Sequence, residues 1–242
     1  MRASAAEIFD TAELQGEVAP APPFRDRADA GRKLAVELRS YASEQPVVVA
    51  LARGGVPVGG QVARALHAPL EACVVRKLGL PWDPEVTIGA IAQGGFVHLD
   101  YAAIDHHRIS PAELSAMMEA QRHQVEALAR VLDTRWCPSR CTGRTVLLVD
   151  DGLATGATML AAILALRSEQ PKRIVLAVPV AARGAMSLLE PKVERVVALV
   201  APESFHAVSD WYEDFTQVRD QDVIECLADA RERTARATNA GR

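Results

Sequence analysis

The chain has 242 residues, 49% apolar and 24% charged, which suits one large α/β domain with at most a small appendage. Its 27 basic and 31 acidic residues give a net charge of −4, against the basic face of a nucleic-acid binder. No apolar run approaches a membrane span, and the four cysteines are too few and too scattered for a disulfide scaffold.

Residues 1–23 are rich in Ala, Pro and Glu, end in Pro20-Ala21-Pro22-Pro23, and are expected to form an arm. They carry Glu7, Asp10, Glu13 and Glu17 and no signal-peptide core, so the expected location is cytoplasmic. From Phe24 to Tyr41 the pattern is helical, capped by Asp26 or Asp29, with Ala30, Leu34 and Leu38 on one stripe. A strand over Val47–Leu51 then runs into Ala52-Arg53-Gly54-Gly55-Val56-Pro57, with a helix expected from Val58 to Leu66. The forked donor of Arg53, and backbone amides exposed at Gly54 and Gly55, read as an anion site.

Leu70–Arg76 is a further strand ending in Arg76-Lys77. Residues 78–85 look irregular, and Val86–Ala92 with Phe96–Leu99 reads as a hairpin around Gln93-Gly94-Gly95. Asp105-His106-His107 is expected on a solvated loop. Ser110-Pro111-Ala112-Glu113 starts a helix running to about Leu132, with Leu114, Met117, Met118, Gln121, Val125, Leu128 and Val131 along its apolar side. Cys137 and Cys141 have metal-like spacing but lack a second Cys/His pair.

The most informative stretch is Val146-Leu147-Leu148-Val149-Asp150-Asp151-Gly152-Leu153-Ala154-Thr155-Gly156-Ala157-Thr158. Four apolar residues make a buried parallel strand, a Gly/Thr loop follows, and Met159–Leu166 suits a helix. Strand, loop and helix start aim backbone N–H groups at one spot, which favours a phosphate dianion. Thr155 and Thr158 can add hydroxyl donors. Asp150 and Asp151 at the mouth suit ribose hydroxyls or a Mg²⁺ held partly through water, so the expected ligand is a ribose 5-phosphate. The spacing fits neither a Walker A loop, since no Lys follows, nor a dinucleotide fingerprint, since the acids precede the glycines.

Beyond it, Arg173–Val180 reads as a buried strand whose ladder ends at Pro179, Ala181–Leu189 as a short helix and Arg195–Val200 as a strand. Residues 202–215 gather Phe205, Trp211, Tyr212 and Phe215 in a chain with 5% aromatics, beside several acids. Such a cluster suits stacking on a planar base, or the filling of a gap in the core. Asp222–Arg236 reads as a polar helix that frays into the C-terminus.

Val146–Thr158 resembles the PRPP-binding motif of the type I phosphoribosyltransferases, an apolar run followed by two acids and a TG-x-T loop. The order strand–RGG loop, flap, strand–DD–TGAT and C-terminal segment is similar to that family over about residues 24–225. The resemblance implies an α/β fold with a mostly parallel sheet, helices on both faces and a small hood at about 201–225, followed by a polar tail from 226 to 242. It implies that PRPP is bound with Mg²⁺, the metal held at Asp150 and Asp151. Arg53, Gly54, Gly55 and Arg76 would meet the diphosphate, and Gly152, Leu153, Ala154, Thr155, Gly156, Ala157 and Thr158 the 5-phosphate.

In the family a mobile flap closes over the diphosphate with a basic residue reaching in, so Lys77 joins Asp150 and Asp151 as a candidate catalytic group. The tail resembles the purine-type enzymes, with Phe205, Trp211 and Tyr212 as candidate base-binding residues. Ser209 and Trp211 depart from that pattern and leave the base open. The expected reaction transfers 5-phosphoribose to a nitrogen acceptor, most simply a nucleobase, with release of diphosphate, in a homodimer of the kind common in the family. A regulator that only binds PRPP or nucleotides, and a hydrolase of a phosphorylated ribose, are the alternatives.

Overall fold

A computed structural model describes residues 23–134 and 140–240. The expected N-terminal arm, apart from Pro23, and Cys137 lie outside the described residues.

In chain order the elements are α1 (Arg27–Glu37), β1 (Val47–Ala52), α2 (Gly55–Ala65), β2 (Leu70–Leu80), β3 (Asp83–Ala92), β4 (Phe96–Leu99), α3 (Tyr101–His106), α4 (Pro111–Val131), β5 (Thr145–Val149), α5 (Ala157–Arg167), β6 (Arg173–Val180), α6 (Arg183–Leu189), β7 (Arg195–Val200) and α7 (Asp220–Ala240). The strands form one sheet in the order β4-β3-β2-β1-β5-β6-β7. Pairing is parallel from β2 to β7 and antiparallel from β2 to β4. This is the α/β fold expected from the sequence.

The central strands are apolar on both faces because each face is covered by helices. Val48, Ala50, Leu147 and Val149 pack with α1, α2, α4 and α7. Val47, Val49, Leu51, Val146 and Leu148 pack on the other side with α5 and α6. A third small cluster joins Phe24 and Ala30 to Val180 and Tyr212. Phe24 pairs with Tyr212 in a parallel bridge, and Glu213 N and Asp214 N donate to Phe24 O and Arg25 O, so residues 24–26 and 211–214 close one end of the sheet together.

Several local expectations are corrected. Residues 78–80 continue β2 and 83–85 open β3, because Leu78 and Leu80 are buried and two register shifts absorb Gly79. α2 starts at Gly55, three residues earlier than expected, since Pro57 is tolerated in a first helical turn. Asp105 and His106 belong to α3, whose Asp100 cap accepts from Ala103 N. On α4 the Ser110–Glu113 capping box forms, but Val131 is exposed. Pro179 does not end its ladder, which resumes with Val180 opposite Val200. α7 runs on to Ala240, and Val223, Leu227 and Ala230 bury its apolar side against the core.

Candidate active site

The sheet reverses direction beside β1: the chain moves outward through β2, β3 and β4 and returns as β5 on the other side of β1. Such a switch point opens a crevice at the carboxyl ends of the strands. The register brings the predicted residues to it. Ala50 pairs with Val149 and Ala52 with Val74, so Arg53, Asp150 and Arg76 all emerge on one edge.

A cavity of about 520 Å³ lies there, lined by residues that include Arg27, Arg53, Gly54, Arg76, Asp151 and Phe215. Gly54 is required by contact, because a Cβ on it would sit 2.2 Å from Asp151 Oδ2. Gly54→Ala is therefore expected to displace the Asp151 carboxylate and weaken ligand binding while the sheet still forms. Titration calorimetry beside a thermal melt would check this, and unchanged affinity would refute the role of that contact. Asp150 stands behind the cavity lining, packed against Gly55, and its Oδ1 accepts from Asp151 N at 2.9 Å.

The sequence reading missed Arg27. Its Nε donates to Asp151 Oδ2 at 2.7 Å, Nη1 donates to Thr216 O at 2.8 Å, and the guanidinium lies 3.7 Å from the centre of the Phe215 ring. Asp26, which caps α1, fixes the start of the helix from which Arg27 projects. Burial raises both aspartate pKa values. At Asp150 the neighbouring Asp151 charge pushes further the same way, and at Asp151 the Arg27 charge opposes the rise.

The other predicted residues distribute unevenly. Arg53 Nε donates to Asp220 Oδ1 at 2.5 Å, tying the loop to the first residue of α7. Arg76 Nε is buried and has no hydrogen-bond partner among the described residues, although the side chain faces the cavity. Lys77 is exposed and absent from the cavity lining, because successive residues of a strand take opposite sides.

Gly152 packs under Val208, and Leu153 is buried with its N–H donated to Val180 O, which removes that amide from any ligand. Ala154 is exposed. Gly156 caps α5 at φ +85°, a left-handed conformation suited to glycine, and the helix leaves the N–H groups of Ala157, Thr158 and Met159 as its open first-turn donors. Thr155 and Ala157 line a second cavity of about 290 Å³ with His98 and Asp100. Burial holds the His98 pKa below its usual value, so its imidazole is neutral near pH 7.

The aromatic residues also separate. Phe205, Trp211 and Tyr212 are absent from the 520 Å³ cavity, and Phe215 lines it instead. Tyr212 turns inward: its ring packs 5.4 Å from Phe24 and 4.9 Å from Phe215, and its hydroxyl donates to Asp151 O at 2.5 Å. It therefore positions the acidic loop from behind. Phe205 and Trp211 pack against the cluster of Phe24, Val180 and Tyr212. The described residues hold no group of three or more His, Cys, Asp or Glu placed to bind a metal ion, and no helix among them is long and apolar enough to cross a membrane.

Comparison with known proteins agrees with this geometry. Two Mycobacterium tuberculosis proteins, from strains CDC 1551 and H37Rv, are each named "Putative phosphoribosyl transferase" and are 40% identical over 214 residues. The match covers 84% of this chain but 46% of theirs, so the chain spans about half the length of these curated relatives. The crystal structure of TT1426 from Thermus thermophilus is 41% identical, covers 85% of this chain and 98% of its own, and superposes with a TM-score of 0.71. The phosphoribosyl transferase domain model matches residues 25–216, spanning both the Arg53 loop and the Asp150–Thr158 loop. The chain belongs to the phosphoribosyl transferase domain family.

Proposed function

We propose that this protein transfers 5-phosphoribose from PRPP to a nitrogen acceptor, a nucleobase or similar planar heterocycle, and releases diphosphate. The observation that carries the reading is the meeting of Arg53, Gly54, Arg76 and Asp151 in one cavity, with an unpartnered guanidinium nitrogen on Arg76. A buried cationic donor without an acceptor is costly in a closed protein and suits an anionic ligand.

The diphosphate is met by Arg53 and Arg76, the ribose hydroxyls by Asp151, whose backbone Asp150 holds from behind, and the 5-phosphate by the open first-turn amides of α5 with Thr155 and Thr158. The Asp151 carboxylate at the cavity wall is a hard oxygen donor of the kind Mg²⁺ takes beside substrate phosphates and water, so it would hold a PRPP-bound Mg²⁺ from one side. When bound, Mg²⁺ neutralises charge on the departing diphosphate. The protein supplies position and fixed charge: departure of diphosphate leaves an oxocarbenium-like C1, beside which the Asp151 carboxylate is favourable. Phe215, with Arg27 against its ring, is the aromatic side chain lining this cavity and would border the acceptor.

The assay is diphosphate release from PRPP and Mg²⁺ with and without a panel of nucleobases. Base-dependent release supports transfer. Base-independent release means hydrolysis, and binding without release means a sensor; either result rejects the proposal.

Side-chain placement separates the two basic neighbours. Arg76→Gln is expected to weaken diphosphate binding about 10- to 100-fold, the value of a charged hydrogen bond. Lys77→Gln should leave it nearly unchanged. Equal losses, read by calorimetry with diphosphate and Mg²⁺, would mean that the β2–β3 hairpin brings Lys77 inward on binding.

A further inference from the structure

At the opposite end of the sheet, below the amino ends of β1 and β5, lies a second large cavity of about 570 Å³. Nothing in the phosphoribosyl transfer described above uses it. Arg64 at the end of α2, Arg144 just before β5 and Arg233 on α7 converge on it, with His67 at its edge. Its floor is apolar, made by the buried Pro46, Leu66 and Ala68.

The charge there is unbalanced. Arg64 and Arg233 share one carboxylate, Asp229, with Arg64 Nη2 at 2.9 Å from its Oδ2. Arg144 Nη2 donates to two backbone carbonyls, Gln45 O at 2.6 Å and Pro46 O at 3.3 Å, and forms no ion pair among the described residues. Three guanidiniums around one carboxylate leave excess positive charge at the mouth of a pocket with an apolar floor. Forked guanidiniums bind phosphate oxygens in pairs, and an apolar floor accepts a flat ring.

The walls also have a particular reach. β1 begins here at Val47 and ends at the Arg53 loop; α2 ends here with Arg64 and begins at Gly55 in that loop. α7 brings Arg233 here and Asp220 to Arg53. Each of the three elements runs from beside one cavity to beside the other: β1 follows Pro46 and ends with Ala52, α2 follows Gly54 and carries Arg64, and α7 joins Arg53 through Asp220 and carries Arg233.

We propose that this basal cavity is an effector site for a small phosphorylated molecule with a planar ring, of the mononucleotide class, and that its occupancy alters ligand affinity at the Arg53 loop. The ring lies on Pro46, Leu66 and Ala68, and the phosphate meets Arg144 and Arg233. The coupling part rests on the reading of the upper cavity as a PRPP site; the binding part does not.

The test titrates AMP by calorimetry into the wild type, the Asp150→Asn/Asp151→Asn variant and the Arg144→Gln/Arg233→Gln variant, with thermal melts to confirm folding. Arg233→Gln alone is the substitute if the double arginine variant does not fold. AMP binding is expected to survive the aspartate changes and to weaken about tenfold or more in the arginine variant. Absence of saturable binding, or binding lost only with the aspartates, overturns the site. PRPP affinity measured with and without saturating AMP is expected to differ about fivefold or more in the wild type and to be unaffected by AMP in the Arg144→Gln/Arg233→Gln variant. AMP binding at the arginines with unchanged PRPP affinity overturns the effector role while leaving the catalytic proposal intact.

Discussion

Replacing Asp150 and Asp151 together with asparagine is expected to abolish transfer and, at the same time, to remove a pH-dependent loss of stability from the ligand-free protein. The two effects share one cause. The carboxylates are adjacent in sequence, buried, and served by a single close cation, Arg27. Burial pushes both pKa values above the usual 3.8, so the folded state holds protons that the unfolded chain has already released. The sign follows: above 3.8 the unfolded state binds fewer protons, and stability contributed by the pair falls as pH rises through the raised folded-state values.

The neutral amides remove that loss while taking away Arg27's counter-charge, and they also remove the charge that the proposed transfer places beside a cationic sugar centre. A lost electrostatic clamp of this kind costs about 2.7–4 kcal/mol of barrier, or about 100-fold or more in rate. The difference between the melting temperatures of the two proteins, measured from about pH 4 upward, should shift toward the variant as the pH rises. Parallel curves would show that the pair is not strained in the folded state. Full turnover by the variant would reject the assignment of the site.

Arg27→Ala is expected to be the most destabilising single change at the site. The Arg27–Asp151 pair is nearly enclosed, with side-chain exposures of 11% and 15%, so removing the cation leaves a buried carboxylate with no close counter-charge. Breaking a buried pair from one side costs about 3–5 kcal/mol. At roughly 2–4 °C per kcal/mol for a chain of this size, the melting temperature should fall by about 6–20 °C. The deficit should shrink at acid pH, where Asp151 takes up a proton.

Arg27 also holds Thr216 O and covers Phe215, so the hood segment should loosen with it. Asp151→Asn on the Arg27→Ala background should recover much of the loss, because the orphaned charge is then gone, and this double-mutant cycle isolates the pair. A fall that is independent of pH and not recovered by Asp151→Asn would place the effect in packing against Phe215 instead.

The sequence by itself determined the α/β class, the two strand–loop–helix units and the placing of paired acids before a Gly/Thr loop. These features are local: a buried parallel strand needs a continuous apolar run, and a tight loop into a helix needs glycine and a short polar side chain. The parity of β2 was equally present in the sequence, since Arg76 and Lys77 alternate, but which side faced the cavity depended on how the sheet was covered.

Tertiary structure alone decided the rest. Arg27 sits 124 positions from Asp151, and no spacing rule links them. Of the aromatic residues near the C-terminus, Phe215 reached the cavity and Tyr212 turned into the core. Phe24, arriving from the other end of the chain, supplied the surface against which Tyr212 packs. The polar-looking end of the chain became a core helix because its few apolar residues, Val223, Leu227 and Ala230, fall at helical spacing opposite α2 and β2. Periodicity gives each element its own shape; the pairing of distant charges and rings arises only when the sheet order brings chain ends together.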